Sequence, residues 1–205
     1  AAYTGRESDA RAAADAAIEA SRSIGAVHMT KEPTSYLVFL EVSLGNYTAA
    51  LATLGPLLDG FHPVHGIEIE GGRYLPDAIE TLAAVGRLDE ARSLADALTE
   101  GGTTRDRPWM LAMGARGHAH VFAAQGDLDA AERAAETALI HHQRLPMPFE
   151  TARTQLLLGQ IQRRRRHRQP AQATLAAALA TFESLGTPLW AGRTRAELER
   201  VNPGT

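Results

Sequence analysis

His62 and His65 form the pair of residues in this chain whose types and spacing come nearest to a metal clip. Two nearby imidazoles can hold a zinc ion when cysteine or carboxylate side chains complete the coordination shell. Here Pro63 keeps the segment off a helix, and the sequence contains no cysteine. We therefore interpret the pair as part of a loop between helices, and we predict no metal site in the chain.

Two further histidine pairs are interpreted as structural. His118 and His120 lie on one predicted helix. A separation of two residues points their side chains about 200° apart, which prevents them from binding one ion. We expect His118 to pack between helices. His141 and His142 end another predicted helix, where histidine suits the negative end of the helix dipole, so we expect a solvated helix terminus there.

The run RRRRHR at 163–168 is the strongest charge feature of the chain. It could bind DNA phosphates or an acidic partner, or it could be the hydrated C-terminal end of a helix. No aromatic residue is interleaved with the arginines, and the whole chain has a net charge of −3. Both observations favour the hydrated helix end over a nucleic-acid site.

No motif in the sequence supports catalysis. The chain lacks the Gly-x-Ser-x-Gly elbow, the His-Glu-x-x-His helix and the phosphate-binding loop, and its only lysine is Lys31. Carboxylates such as Asp127, Asp129 and Glu132 fall on predicted helix surfaces as scattered charge. We expect a protein that is not an enzyme, with no catalytic residues and no cofactor in this chain.

An internal repeat must position these side chains. An alanine recurs every 40 or 41 residues, with small or apolar residues four and seven positions after it, as on one face of an amphipathic helix. A turn position, usually glycine, stands five residues before each alanine. The alanines are Ala10, Ala50, Ala91, Ala131 and Ala171, and the turn positions are Gly5, Gly45, Gly86, Gly126 and Arg166.

Each repeat unit is predicted to be a helical hairpin. Glycine ends the front helix in a left-handed conformation, and a proline opens the front helix of the later units at Pro108, Pro148 and Pro188. A hairpin that cannot bury its own apolar face must stack on its neighbour, which produces a solenoid. The pattern predicts one all-α domain over residues 1–205, with about ten helices and with Ala91 and Ala131 buried at the hairpin crossings.

The predicted helices are joined by short turns except at 24–34 and 59–73. They cover residues 7–23, 35–44, 47–58, 74–85, 88–100, 108–124, 128–143, 148–165, 170–185 and 188–200. The sequence has no apolar stretch of the roughly 18 residues that a membrane span requires. The absence of cysteine suits the cytoplasm, where we expect the protein to be.

The turn sequences Gly-Asn-Tyr, Gly-Arg-Leu and Gly-Asp-Leu, each followed by the repeat alanine, resemble the tetratricopeptide repeat. HEAT and armadillo repeats fit the period better but lack this turn. We therefore predict a tetratricopeptide-like right-handed superhelix of antiparallel hairpins.

A more specific resemblance rests on the strings LPMPFE at 145–150, ART at 152–154 and, above all, FESLGTPLWA at 182–191. With AVGRLDEA at 84–91 and GDLDAA at 126–131, they resemble the last tetratricopeptide repeats of the large ATP-dependent, maltose-regulator-like LuxR-type transcriptional regulators of bacteria. In that family an ATPase module precedes the array and a helix-turn-helix domain follows it. This chain carries the motifs of neither module.

The resemblance implies a sensor and protein-interaction module that relays a signal to ATP-binding and DNA-binding domains elsewhere in a larger protein. The first turn, at Gly5, has no front helix before it, so we expect the array to continue upstream. The alternative is a free-standing tetratricopeptide adaptor for protein–protein interaction. Self-association is a further option that the sequence leaves open.

The concave face of such an array is lined by the front helices, and we expect an effector or a partner protein to bind there. Counting back from the turns gives this face a polar, positive wall in the last two units. A sugar-like, acidic or peptidic ligand would suit that wall, and the alternative is a hydrated groove. The candidate binding residues are Phe39, Glu80, Arg116, His120, Arg153, Gln160 and Arg163.

Overall fold

The computed structural model describes residues 1–59 and 72–201. These residues form ten α-helices and a short 3-10 helix at Val27–Thr30, with no β-strand among them, so the all-α prediction is confirmed for this part of the chain. The described helices include none that is long and apolar enough to cross a bilayer. The α-helices are α1 (Glu7–Ser23), α2 (Lys31–Leu44), α3 (Tyr47–Asp59), α4 (Leu75–Ala84), α5 (Leu88–Arg105), α6 (Pro108–Gln125), α7 (Leu128–His142), α8 (Pro148–Arg164), α9 (Arg168–Ser184) and α10 (Pro188–Val201).

The helix bounds agree with the sequence prediction to within two residues, apart from two ends. Helix α2 begins at Lys31 instead of residue 35. Pro33 falls in its first turn, where a missing backbone N–H costs nothing. Helix α5 continues to Arg105 instead of ending at residue 100. A Cβ on Gly102 would lie 2.9 Å from the backbone nitrogen of Leu111 in α6, so this glycine permits close helix packing and does not end the helix. The predicted loop at 59–73 lies almost entirely outside the described residues.

The turn positions of the repeat adopt the left-handed backbone that the sequence predicted. Gly45, Gly86 and Gly126 have φ angles of 77°, 82° and 86°. After Gly45, the amide of Asn46 donates to the carbonyl of Glu41 at 2.8 Å, which ends α2 in a Schellman motif. Arg166 takes the same conformation, with φ of 65°, although its Cβ disfavours it. The repeat therefore imposes this turn even where glycine is missing.

The repeat alanines are buried where the helices of a hairpin cross, as predicted. Ala91 and Ala131 are both 0% exposed. Glycines on the front helices bring the backbones still closer: a Cβ on Gly159 of α8 would lie 2.5 Å from Leu175 of α9. The first copy of the repeat differs: Ala10 is only partly buried, and Ala17, seven positions later on α1, is exposed.

The front helices α2, α4, α6, α8 and α10 pack side by side, each against the next. Helix α10 also packs against α2, so these five helices close into a ring, while α3, α5, α7 and α9 lie outside it. Aromatic side chains pack together where α10 meets α2 and α8. The ring centroid of Phe149 lies 5.7 Å from each of the centroids of Phe39, Phe182 and Trp190.

Candidate functional site

A network of buried charges occupies the centre of the helix ring, where the sequence predicted an open groove. Arg153 of α8 donates to Asp77 Oδ1 at 2.6 Å and to Glu80 Oε2 at 2.8 Å, both on α4. Its guanidinium also lies 3.7 Å from Glu150, one turn earlier on α8. We call the six charged residues at this centre the central network: Asp77, Glu80, Arg116, Glu150, Arg153 and Arg193.

The last helix, α10, joins the central network through Arg193. Its guanidinium donates to Glu80 Oε1 at 3.1 Å and to the Tyr47 hydroxyl at 2.9 Å. That hydroxyl donates in turn to Glu80 Oε1 at 2.9 Å. The guanidinium carbons of Arg193 and Arg153 lie 4.3 and 4.5 Å from the centroid of the Trp190 ring, within cation–π range. One carboxylate and one indole therefore tie α10 to α3, α4 and α8.

Helix α6 contributes Arg116 and His120. Arg116 is 2% exposed, forms an ion pair of 2.7 Å with the Glu150 carboxylate and donates to the Glu150 backbone carbonyl at 3.1 Å. His120 Nε2 lies 4.0 Å from Glu80. Burial lowers the pKa of His120 to about 4, so the ring is neutral at neutral pH and adds no charge to the network.

The central network contains three carboxylates and three guanidiniums, and their environments differ. Burial alone would raise the pKa of Glu80, but the guanidiniums of Arg193 and Arg153 hold that pKa well below its usual range. The pKa of Glu150 is lowered in the same way, against burial, by two guanidiniums. Asp77 behaves oppositely, because burial raises its pKa and Arg153 offsets only part of that effect. Asp77 is thus the carboxylate whose negative charge is least compensated.

A cavity of about 180 Å³ lies beside the central network, near the N-terminal ends of α4, α6 and α8. Asp77, Glu150 and Arg153 form its charged wall, and Arg73 lies at its exposed rim. The ring of Tyr3 stacks on Phe39 with centroids 4.3 Å apart. Four aromatic residues line the remaining wall: Tyr3, Tyr36, Phe39 and Trp109.

Two of the predicted binding residues, Gln160 and Arg163, belong to a separate cluster around Glu197. Arg163 Nε donates to Glu197 Oε2 at 2.9 Å, and Gln160 lies 3.5 Å from the other oxygen of the same carboxylate. Arg200 also pairs with Glu197, at 2.5 Å. This cluster joins α8 to α10 near the far end of α8. Its contacts give it a role in helix packing.

The arginine run at 163–168 is mostly exposed, but two of its arginines also contact the neighbouring hairpin. Arg164 donates to the carbonyl of Ala123 on α6 at 2.9 Å. Arg165 forms ion pairs with Glu132 and Asp129 of α7. Arg164 stays exposed, as predicted for a hydrated helix end, whereas the prediction is wrong for the partly buried Arg165, because α7 presents carboxylates to it.

The structure brings together Phe39, Glu80, Arg116, His120 and Arg153 of the predicted binding residues, but it places them in the interior. The expected open groove is closed because α10 packs on α2. Of the five, Phe39 and Arg153 line the cavity, and whether any of them binds a ligand stays a prediction. Sequence reasoning missed several members of the site: Tyr3, Tyr47, Asp77, Glu150, Trp190 and Arg193.

One sequence feature could have identified part of this set. The acid pair Asp77 and Glu80 and the pair Glu150 and Arg153 each have a spacing of three residues inside an apolar front helix. Charged residues three apart share one face of a helix. Finding them on the core-facing side of two helices indicates an ion-pair partner in the interior.

The histidines are placed differently from one another. His118 Nε2 lies 3.5 Å from Thr99 Oγ1 and 3.4 Å from Asp96, so it packs between α6 and α5 as expected. His142 is buried and lies 3.0 Å from Thr154 Oγ1, so the prediction of a solvated terminus is wrong for this residue. Burial lowers its pKa to about 4. His62 and His65 lie outside the described residues.

Within residues 1–59 and 72–201, no group of three or more histidine, cysteine, aspartate or glutamate side chains could hold a metal ion. Known proteins give no further identification: no protein-family model matches the chain, and no curated protein matches it.

Proposed function

We propose that this chain is an effector-sensing module in which a small molecule in the cavity sets how tightly α10 closes on the rest of the ring. The observation that carries the proposal is that the cavity and the closing helix share one carboxylate network. Arg153 lines the cavity and donates to Glu80, and Glu80 accepts from Arg193 of α10. A ligand that shifts Arg153 therefore changes the hydrogen bonds that hold the last helix.

The physical basis is a difference in affinity between two closures of the ring. Each hairpin touches mainly its neighbours, so small rotations at each interface add up to a change in curvature. A ligand favours whichever curvature it binds more tightly, and the change reaches the chain end through α10. The polar interior suits such a role, because ion pairs have discrete geometries that a ligand can shift.

We assign the array to the tetratricopeptide-like right-handed superhelices, and the parent protein to the LuxR-type regulators. Supporting this assignment are the left-handed turn positions, the buried repeat alanines and the motif FESLGTPLWA at 182–191. In such a cytoplasmic regulator, ATP and DNA would be bound by other domains. Reading the gene beyond the codon for Thr205 tests this: a helix-turn-helix sequence supports the assignment, and a stop codon contradicts it.

The coupling between cavity and closure can be tested without knowing the effector. The chain contains no cysteine, so Thr48→Cys on α3 and Glu199→Cys on α10 give two exposed sites for spin labels. Ser35→Trp then fills the cavity with a permanent occupant, because Ser35 lines it. We expect the distance between the labels to shift by about 2 Å or more, the scale of helix shifts in switching proteins.

The matched control is Ser184→Trp, which adds the same side chain at an exposed position of α9. It should leave the distance distribution unchanged. If Ser35→Trp folds and also leaves the distribution unchanged, occupation of the cavity is not coupled to α10 and the sensing proposal is overturned.

A second function, that of a protein-interaction adaptor, is favoured by one surface. Ile24, Val27 and Met29 are 74%, 65% and 54% exposed and fall within six residues of the connection between α1 and α2. Clustered apolar side chains on a surface mark protein contact sites. Replacing all three by serine should raise solubility and leave the fold intact, and an adaptor would lose its partner in pull-down from the native host.

A further inference from the structure

We propose that the cavity binds a small organic cation, an alkylammonium head group held between the Asp77 carboxylate and the surrounding aromatic rings. This inference rests on the proposed function and names the chemical class of the effector. It differs from the sequence expectation of a sugar-like, acidic or peptidic ligand, because the arginines that motivated that expectation are already paired.

The aromatic walls provide the first argument. Tyr3, Tyr36, Phe39 and Trp109 all line the cavity. The faces of aromatic rings attract a cation within about 6 Å of the ring centroid. Tyr3 is 41% exposed and forms the edge of the site, so a ligand can displace its ring without unfolding a helix. Several such rings around one small volume form the kind of cage that recognises ammonium groups.

The charge of the wall provides the second argument. Asp77 and Glu150 both line the cavity. Asp77 uses its Oδ1 atom for Arg153, and Arg153 is shared among Asp77, Glu80 and Glu150. Glu80 and Glu150 each have a second guanidinium, from Arg193 and Arg116, whereas Arg153 is the one partner of Asp77 among the ion pairs of the described residues. Burial raises the pKa of Asp77, as do the negative charges of Glu150 and Glu80, so a cation beside it would relieve an existing electrostatic cost.

The arginines that line the cavity do not reverse its preference for a cation. Arg153 is 4% exposed and committed to its carboxylates, and Arg73 is exposed at the rim, where water screens its charge. The pKa of the Tyr3 phenol responds to the carboxylates and arginines of the cavity wall. Burial raises the pKa of Tyr3 most. Glu150 and Asp77 raise it further, each by more than Arg153 or Arg73 lowers it. At Tyr3, the carboxylates of the cavity wall therefore act in the direction that favours a cation.

The test compares three probes of nearly the same shape by isothermal titration calorimetry at neutral pH and matched ionic strength. Choline carries the cation. Dimethylbutanol replaces the charged nitrogen by carbon, and dimethylbutanoate is the corresponding anion. We expect choline to bind at least about 10-fold more tightly than dimethylbutanol, and dimethylbutanoate not to bind.

Two variants locate the site. Asp77→Asn removes the charge and keeps the shape, and it should weaken choline at least about 10-fold while leaving dimethylbutanol unchanged. Its control is Asp89→Asn, the same change at an exposed position at the other end of the hairpin, which should bind choline like the unaltered protein. If Asp77→Asn does not fold, Tyr3→Leu provides the test, because the half-exposed Tyr3 ring can be removed from the cage with the fold retained.

Several results would overturn the proposal: no choline binding up to millimolar concentrations, equal or tighter binding of the alcohol or the anion, or unchanged choline affinity in both variants. These outcomes are separable from failure of the sensing function. Tight binding of dimethylbutanoate together with a shift of α10 in Ser35→Trp would retain the cavity as a sensor and reject only the cation.

Discussion

The indole N–H of Trp190 donates a hydrogen bond to Ser43 Oγ at 2.9 Å, between residues 147 positions apart in the chain. Arg193, one turn later, donates to the carbonyl of Val42 at 2.9 Å. These bonds join the last helix to the first front helix. They convert a row of hairpins, each of which needs only its neighbours, into a closed ring with a charged interior.

Arg193→Gln should open this closure. Removing Arg193 takes one of the two guanidiniums away from the buried Glu80 carboxylate and leaves Arg153 beside it, and losing one partner of a buried ion pair costs about 3 kcal/mol or more. The free energy of unfolding from urea titration gives the measurement. The control is Arg195→Gln on the same helix, where the pair with Glu183 is half exposed and its loss should cost less than about 1 kcal/mol. Equal effects of the two substitutions would show that Arg193 does not hold the ring.

Two glycines on front helices should respond to alanine in opposite directions. A Cβ at Gly159 would lie 2.5 Å from Leu175, so Gly159→Ala should destabilise the protein by about 1 to 3 kcal/mol through overpacking. Gly192 of α10 has nothing within 4 Å of an added Cβ. Gly192→Ala should therefore stabilise the helix by about 0.5 to 1 kcal/mol, since alanine is the better helix former. Thermal unfolding distinguishes the two signs.

Local features of this fold were predictable because they repeat. A glycine before an apolar residue, as in Gly126 and Leu128, specifies a turn through backbone sterics alone. A recurring alanine such as Ala131 marks the helix crossing because a larger side chain would separate the helices. Both rules depend on residues close together in the sequence, and the structure follows both at Gly126 and Ala131.

The closure of the ring was not predictable from the same rules. The repeat specifies how one hairpin packs on the next. The hydrogen bond between Trp190 and Ser43 depends instead on the rotations between successive hairpins, summed over the whole array. Because the open concave face was assumed, Arg116 and Arg153 were expected to be ligand donors. Their carboxylate partners, Asp77 and Glu150, become apparent only once α4, α6 and α8 are seen to share one interior.

Ala131→Leu tests the repeat frame itself. Ala131 is 0% exposed at the crossing of α7 with its neighbours, so the three added carbon atoms have no room, and the cost should be about 1 to 3 kcal/mol. Ala173→Leu on α9 is the control, because Ala173 is exposed and leucine is a good helix former. A melting temperature that does not change in Ala131→Leu would contradict the packing described for this crossing.

Acid should weaken the fold through its buried histidines before Glu80 titrates. Burial lowers the folded-state pKa of His142 to about 4, below the ordinary value near 6.5. As the pH falls from 7 to 5, the unfolded chain binds a proton at this position and the folded chain does not, so the free energy of unfolding decreases. For one such histidine the decrease is about 2 kcal/mol. His120, whose folded pKa is also about 4, acts in the same direction. The contribution of Glu80, whose pKa is depressed, is lost only at lower pH.

His142→Gln isolates this effect. Glutamine can hydrogen bond to Thr154 and does not titrate, so the variant should lose about 2 kcal/mol less stability than the unaltered protein between pH 7 and 5. His28→Gln makes the same substitution at an exposed histidine and controls for the change of side chain itself. Urea unfolding of the three proteins at both pH values gives the comparison. If His142→Gln shows the same decrease as the unaltered protein, His142 is protonated as readily in the folded chain as in the unfolded one, and its hydrogen bond to Thr154 does not depend on the neutral ring.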